Sequence, residues 1–290
     1  MSASVGVVHH LNCGTMCPHG ARLLAGEGGL LASATLVCHC LLLEGADGLT
    51  LIDTGFGSDD VRNPRQLGTP FRLLTRPRLD TAETALAQIR ALGLDPADVR
   101  DIVTTHLDLD HAGGLPDFPA ADVHVMQAEH DAAMKPSLRE RLRYISKHWS
   151  HGPRWITHGT GGDDWMGMEG IRILPGSDAE VLLIPLAGHT VGHTGVAIRR
   201  ADGWLLHCGD AYFHQGEVRT PPSCPPGLRV FESLNDIDGT GRRRNQERLR
   251  ELAERHRGEV ELICSHDAST LEPGAREPLA AAAAAATGGG

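Results

Sequence analysis

The stretch Thr105-His106-Leu107-Asp108-Leu109-Asp110-His111-Ala112-Gly113-Gly114 constrains this chain more than any other, because four potential metal ligands fall within six residues. The residues just before it, Asp101 to Thr105, are small, β-branched and apolar, and predict a short buried strand. His106 and Asp108 are two apart and project together if the chain leaves that strand still extended. Asp110 and His111 are adjacent and diverge. This arrangement suits two metal positions, one fed by His106 and Asp108, the other by Asp110 and His111. Leu107 and Leu109 alternate with them and can anchor the loop in the core. Chance is the competing explanation, since the chain holds 17 histidines. Against it stand further single His or Asp residues at the ends of later strand-like runs: His189, Asp210 and His266. Ligands fixed on rigid strand ends are how a sheet scaffold holds a metal pair.

The pattern along the chain supports such a scaffold. Residues 34–43 and 49–55 are β-prone runs separated by a glycine-containing turn, and predict a hairpin ending at Asp53. Asp53 is either a turn residue or a group that bonds the ligand loop from behind. Residues 57–79, rich in Arg, Pro and Gly, read as a loop. Thr81 and Thr84 open a helix that stops at Gly93. Val123 to Met126 predicts a strand in which His124 alternates with apolar neighbours, as a satisfied sheet histidine does. Residues 127–134 start a helix. Strands are expected at 171–174, 180–186, 194–199, 204–207 and 260–264, with a helix over 246–257. Residues 1–33 read as a glycine-rich loop near the site. Cys13 and Cys17 there, with His9, His10 and His19, lack a second cysteine pair to close a zinc site, and packing thiols are the simpler expectation.

Residues 135–170 break the strand rhythm. They carry Trp149, Trp155 and Trp165, and read as an insertion or cap over the metal centre, its aromatics either lining a pocket or packing the insertion down. The expected organisation is one domain over 1–275, followed by a low-complexity tail, 276–290. A net charge of −10 argues against nucleic acid as partner. No stretch of about 18 apolar residues is present to span a membrane, and no signal peptide is evident. Seven cysteines, an odd number, fit a reducing compartment, so the expected location is cytoplasmic.

The order Ile52-Asp53-Thr54-Gly55, then His106 to His111, then Gly188-His189-Thr190-Val191-Gly192-His193, then Gly209-Asp210, then Ser265-His266 resembles the metallo-β-lactamase superfamily across roughly residues 34–270. The outline is nearest to its N-acyl-homoserine lactonase branch. The resemblance implies an α+β fold, an αββα four-layer sandwich with a dinuclear metal site at one edge of its sheets. It implies that one divalent ion takes His106, Asp108 and His189, and the other Asp110, His111 and His266. Asp210 would bridge, and His193 would support from behind.

One position departs from the pattern. The family's HxHxDH motif has His where this chain has Asp108, and the flavodiiron branch has Glu there and binds iron. Two divalent ions carry four positive charges, which three aspartates and a bridging hydroxide cancel. A neutral site lowers the pKa of its water less. The extra oxygen donor favours manganese or iron over zinc.

The chemistry the resemblance implies is hydrolysis of a small molecule, with a hydroxide held between the metals attacking an ester or lactone, acyl-homoserine lactones among them. Asp110 would orient the nucleophile. Tyr212 would donate to the developing oxyanion, although the lactonases carry their Tyr one position later, where this chain has Phe213. The alternatives are a glyoxalase II-like thioesterase, with Arg139, Arg141 or Arg143 gripping a carboxylate, a phosphodiesterase, or a di-iron redox module. A homodimer is the assembly left open.

Overall fold

The computed structural model describes residues 6–174 and 180–271. The hairpin run proves to be buried on both faces. In β2 (Leu36–Gly45), Leu41 and Leu43 face one core and Leu42 and Cys40 another. A strand apolar on both sides must be covered on both sides, and this fixes the layering.

The first sheet runs β1 (Val7–Met16), β2, β3 (Gly48–Ile52), β4 (Val99–Val103), β5 (Asp122–Met126) and β6 (Arg154–His158) in spatial order. Its first three strands pair antiparallel and the rest parallel. The second runs β7 (Asp163–Trp165), β8 (Met168–Ile173), β9 (Val181–Pro185), β10 (Thr194–Arg200), β11 (Gly203–His207) and β12 (Val260–Ile263), and only β11 and β12 pair parallel. Leu41, Leu43, Ile52, Val103, Leu183, Val196, Ile198 and Ile263 meet between the two sheets.

The helices are α1 (Ala21–Leu24), α2 (Ser58–Arg62), α3 (Thr69–Thr75), α4 (Ala85–Ala91), α5 (Leu109–Ala112), α6 (Gln127–Met134), α7 (Pro226–Asn235) and α8 (Gly239–Arg255). Ile89 of α4 and Ala133 of α6 pack on the outer face of the first sheet. Leu249 and Leu252 of α8 pack on the outer face of the second. The result is the expected four-layer α+β sandwich. No helix among the described residues is long and apolar enough to cross a membrane.

Three expectations need correction. Residues 7–16 form an edge strand rather than a loop, held by the register of Val7–Met16 on Leu36–Glu44 and bulged between Asn12 and Thr15. Residues 57–79 fold into α2, a 3-10 turn and α3, with Pro64 and Pro70 in first-turn positions where proline is tolerated. Residues 135–170 are only partly a cover. Glu140–Leu142 and Ser146–Trp149 are 3-10 turns, of which only Leu142 reaches the cavity described below, whereas β6 extends the first sheet and β7 and the start of β8 belong to the second. The tryptophans pack rather than line a pocket. Trp149 and Trp155 lie edge to face on the first core, and Trp165 meets Trp204 in the second. The expected tail lies outside the described residues.

Candidate metal centre

The first ligand loop leaves β4 extended, and Asp108 is still in the β region before α5 begins (φ −62°, ψ 156°). His106 and Asp108 therefore project together, while Asp110 and His111 come off the helical turn. His189 comes from the loop after β9, Asp210 from the turn after β11, and His266 from the end of β12. Donor atoms of His106, Asp108 and His189 lie within 4.8 Å of one another, as do those of Asp110, His111 and His266, and those of His106, His111 and Asp210. All seven expected residues are thus brought to one place.

Their outer partners aim them inward. Asp53 Oδ1 accepts from the Thr105 amide at 2.7 Å. Its Oδ2 accepts from Thr105 Oγ1 at 2.7 Å and from His111 Nδ1 at 2.9 Å. Because Thr105 Oγ1 gives its proton to Asp53, it accepts from His106 Nδ1, 2.9 Å away. His266 Nδ1 donates to the Val37 carbonyl at 2.8 Å. In all three histidines Nε2 then carries the lone pair and faces the cluster. Asp53 holds this post with a left-handed backbone (φ 54°), a conformation that a non-glycine residue rarely adopts. It is thus the support behind the loop, not merely a turn residue.

His193 stays outside the cluster. Its Nδ1 donates to the Leu186 carbonyl, and its Nε2 accepts the Asp210 amide at 2.9 Å, fixing the turn that carries Asp210. Gly209 precedes Asp210 at φ +53°, and a Cβ there would lie 2.6 Å from His193 Nε2. His124 is satisfied in the sheet by Asp101 and His158. Cys13 and Cys17 join no potential ligand cluster among the described residues.

At the centre, Asp210 Oδ2 lies 3.1 Å from His266 Nε2, 3.4 Å from His189 Nε2 and 3.9 Å from His106 Nε2. Its Oδ1 lies 3.4 Å from His111 Nε2. Asp108 Oδ2 lies 3.1 Å from His189 Nε2 and 3.4 Å from His106 Nε2. Among the described residues, His106 Nε2, His111 Nε2 and Asp210 Oδ1 are buried without a hydrogen-bond partner. Buried polar atoms rarely go unsatisfied. Imidazole lone pairs and carboxylate oxygens converging at these spacings suit two divalent cations.

Without metal, the cluster shifts its own protonation. Burial disfavours the charged form of Asp210 and Asp108. For Asp210, His266 and His111 outweigh burial, and for Asp108, Arg143 and His106 do so, holding both carboxyls well below their usual range. Burial also works against charge on the histidines. It is outweighed for His111 by Asp210 and Asp53, for His266 by Asp210, and for His189 by Asp108 and Asp236, the last being raised to about 9. A histidine raised in the folded state stabilises the fold below its unfolded value near 6.5 and loses that contribution as pH passes the folded value. Protein stripped of metal should therefore melt progressively lower from pH ~6.5 to ~9. Loaded protein, in which metal has displaced those protons, should not. Melting curves with and without chelator at each pH check this.

Tyr212 does not reach the site. Its ring is fully buried in the second-sheet core beside Cys208, and its hydroxyl makes no geometrically sound hydrogen bond among the described residues. Phe213 takes the inward face instead, its ring centre 4.6 Å from that of His266 and 6.0 Å from that of His189. Consecutive residues of this turn point opposite ways, so only one could face the cavity. Tyr212→Phe should leave kcat/KM within about twofold of the parent, since no hydrogen bond is lost. Steady-state kinetics of the variant check this.

Three supports were not evident from sequence. Glu129, fully buried on α6, accepts from the Leu107 amide, the Gly192 amide and the Tyr144 hydroxyl. It joins both histidine loops to the 140s segment. Asp236 faces His189 Nδ1 at 3.8 Å and is held by Arg242. Arg143 pairs with Asp108, Nε to Oδ1 at 2.9 Å. The spacing of Glu129 three residues after Met126 at the start of a helix carried no ligand-like signal.

A family model for the metallo-β-lactamase superfamily matches residues 34–260. The chain belongs to that superfamily. Like its relatives it is a metallo-hydrolase. It is 44% identical over 261 residues, 90% of this chain and 80% of the other, to a probable metallo-hydrolase of Mycobacterium tuberculosis, Rv2300c. It is 30% identical over 254 residues to the N-acyl homoserine lactonase AttM of Agrobacterium fabrum, covering 86% of this chain and 88% of that one. Among solved structures, a Bacillus thuringiensis AiiA variant with N-decanoyl-L-homoserine at its active site superposes with a TM-score of 0.69, at 20% identity, over 93% of this chain and 95% of that one. Within the superfamily the chain thus lies near the lactonases in both sequence and fold.

Proposed function

We propose that the protein hydrolyses lactones or esters carrying an apolar acyl arm, at a site holding two divalent ions. The observation that carries this is the cavity of about 280 Å³ that opens onto the ligand cluster. Asp108, Asp110, His189, Asp210 and His266 lie on its floor, and Leu36, Phe71, Leu74, Leu142, Phe213 and Leu234 form its walls. Leu74, Leu142 and Leu234 stand at the surface 69%, 72% and 73% exposed. An apolar mouth above a polar floor fits an amphiphilic substrate whose reactive carbonyl enters first. AttM, named as a lactonase, supports the same bond type.

His106, Asp108 and His189 would hold one ion, and Asp110, His111 and His266 the other, with Asp210 between. When bound, such ions make a water nucleophilic near neutral pH and polarise the scissile carbonyl. The chain's own residues do the rest. Asp110 is the least enclosed of the carboxylates, with 12% of its side chain exposed, and can orient an incoming water from the cavity floor. Phe213, lying against His189 and His266, excludes bulk solvent from that side. Asp108 in place of histidine adds an oxygen donor, which favours manganese or iron over zinc.

Arg139 and Arg143 line the cavity, but both are engaged by protein groups and Arg141 is exposed. That weakens a carboxylate grip of the glutathione kind. A panel of short- and long-chain lactones, esters, thioesters and phosphodiesters, run with zinc, manganese and iron, tests the proposal. Long-chain lactones or esters should give the highest kcat/KM. A clear preference for phosphodiesters, or no turnover of any carbonyl substrate, would remove it.

A further inference from the structure

We infer that Arg143 is a positioning residue that makes Asp108 serviceable as a metal ligand where the common HxHxDH motif has histidine. The inference rests on the ligand set proposed above. The Arg143 side chain is only 13% exposed and is fixed by three segments of chain. Its Nε meets Asp108 Oδ1 at 2.9 Å. Its Nη1 donates to the His189 carbonyl at 3.0 Å, and its Nη2 to the Asn235 carbonyl at 3.1 Å. Tyr144, the next residue, is anchored through its hydroxyl to Glu129, so the segment presenting the guanidinium is itself pinned.

The two oxygens of Asp108 are thereby divided. Oδ1 faces Arg143 as an ion pair without hydrogen-bond alignment, and Oδ2 turns to His106 and His189 at 3.4 Å and 3.1 Å. An aspartate so held offers one oxygen in one direction, as a histidine offers one nitrogen. Charge follows the same logic. Replacing histidine by aspartate adds one negative charge to the cluster, and the buried guanidinium returns one positive charge beside it. Arginine suits this post because its planar head donates to two carbonyls while its charge stays beside the carboxylate, which a lysine cannot do. Nη2 also lies 3.3 Å from His189 Nε2, so a loaded site requires that contact to be given up while the other three can persist.

Residues 108 and 143 should therefore behave as one unit toward metal. Purified protein is loaded with manganese, and its metal content and its resistance to a competing chelator are measured for the parent, Arg143→Gln, Asp108→His and the double variant. The parent should hold two ions per chain. Each single variant should hold one of them about 10–100-fold more weakly, the size of effect seen when a ligand's supporting partner is removed. The double variant, which restores the common His pattern without a stranded cation, should regain most of that loss. Arg143→Lys keeps the charge but not the fork; it is the variant to use if Arg143→Gln fails to fold, and should weaken the same single ion.

Three results would overturn the inference. One is Asp108→His holding both ions as tightly as the parent with Arg143 still present. Another is a double variant no better than Asp108→His alone. The third is a parent that holds one ion and an Arg143→Gln variant that holds two, meaning that the guanidinium stands in a metal's place. If the parent and every variant hold fewer than two ions, the proposed ligand set fails, and this inference with it.

Discussion

Asp210→Asn is expected to lower kcat/KM by about 10³-fold or more, beyond the loss of a single well-placed electrostatic contact, while leaving the fold intact. Among the described residues, Asp210 is the only one whose carboxylate stands within 4 Å of His106, His111, His189 and His266 together. The amide keeps the shape but loses the charge, and one of its two heads can no longer accept. A group joining both triads cannot be weakened without disturbing both. Activity against the best substrate of the panel, together with a circular dichroism spectrum matching the parent, decides it. A loss of less than about tenfold would mean that the two triads work independently or that only one is used.

Glu129→Ala is the second large effect, and it is one of stability. Glu129 touches no part of the cavity, yet it accepts three hydrogen bonds inside the protein: from Leu107, Gly192 and Tyr144. Truncation leaves two amides and one phenol buried without partners, at roughly 1–3 kcal/mol each. A total of about 3 kcal/mol or more corresponds to a fall in melting temperature on the order of 6–12 °C for a domain of this size. The space cannot simply fill by chain movement, because Gly192 packs against Glu129 so closely that a Cβ there would sit 2.2 Å from its amide nitrogen. Activity should fall too, since the amide of Leu107 lies between His106 and Asp108. Glu129→Gln, which keeps one acceptor oxygen, should recover part of the melting temperature. A melting temperature within about 2 °C of the parent for Glu129→Ala would show that water replaces the carboxylate.

These two residues illustrate what could and could not be read from the chain alone. Asp210 was legible because ligand chemistry is local: an aspartate after an apolar run and a glycine has few other reasons to be there. The same holds for His106 to His111, His189 and His266, each at the end of a run whose apolar residues point to both faces of a sheet. Glu129 was not legible, because its role lies in three partners 15 to 63 residues away. Arg143 was visible only as one of three arginines in a segment of mixed character. Nothing in its neighbours said which carboxylate it would meet. The strand Val7–Met16 was hidden for a similar reason. His9, His10, Asn12 and Gly14 break the alternation that marks a strand, and its pairing with β2 supplies the order that its own sequence lacks. The helix Pro226–Asn235 is not legible from sequence although Pro225-Pro226 is a start signal, since the run of prolines before it reads equally as loop. Whether Tyr212 or Phe213 faces the cavity turns on one residue of turn geometry, which spacing cannot resolve.

The most direct test of the central claim is where metal sits. Crystals of protein loaded with manganese, measured at a wavelength where manganese scatters anomalously, should show two peaks per chain about 3.5–4 Å apart. One peak should lie among His106, Asp108 and His189 and the other among Asp110, His111 and His266, with Asp210 reaching both. A single peak at full occupancy, or peaks that leave His189 or His266 without a metal neighbour, would contradict it.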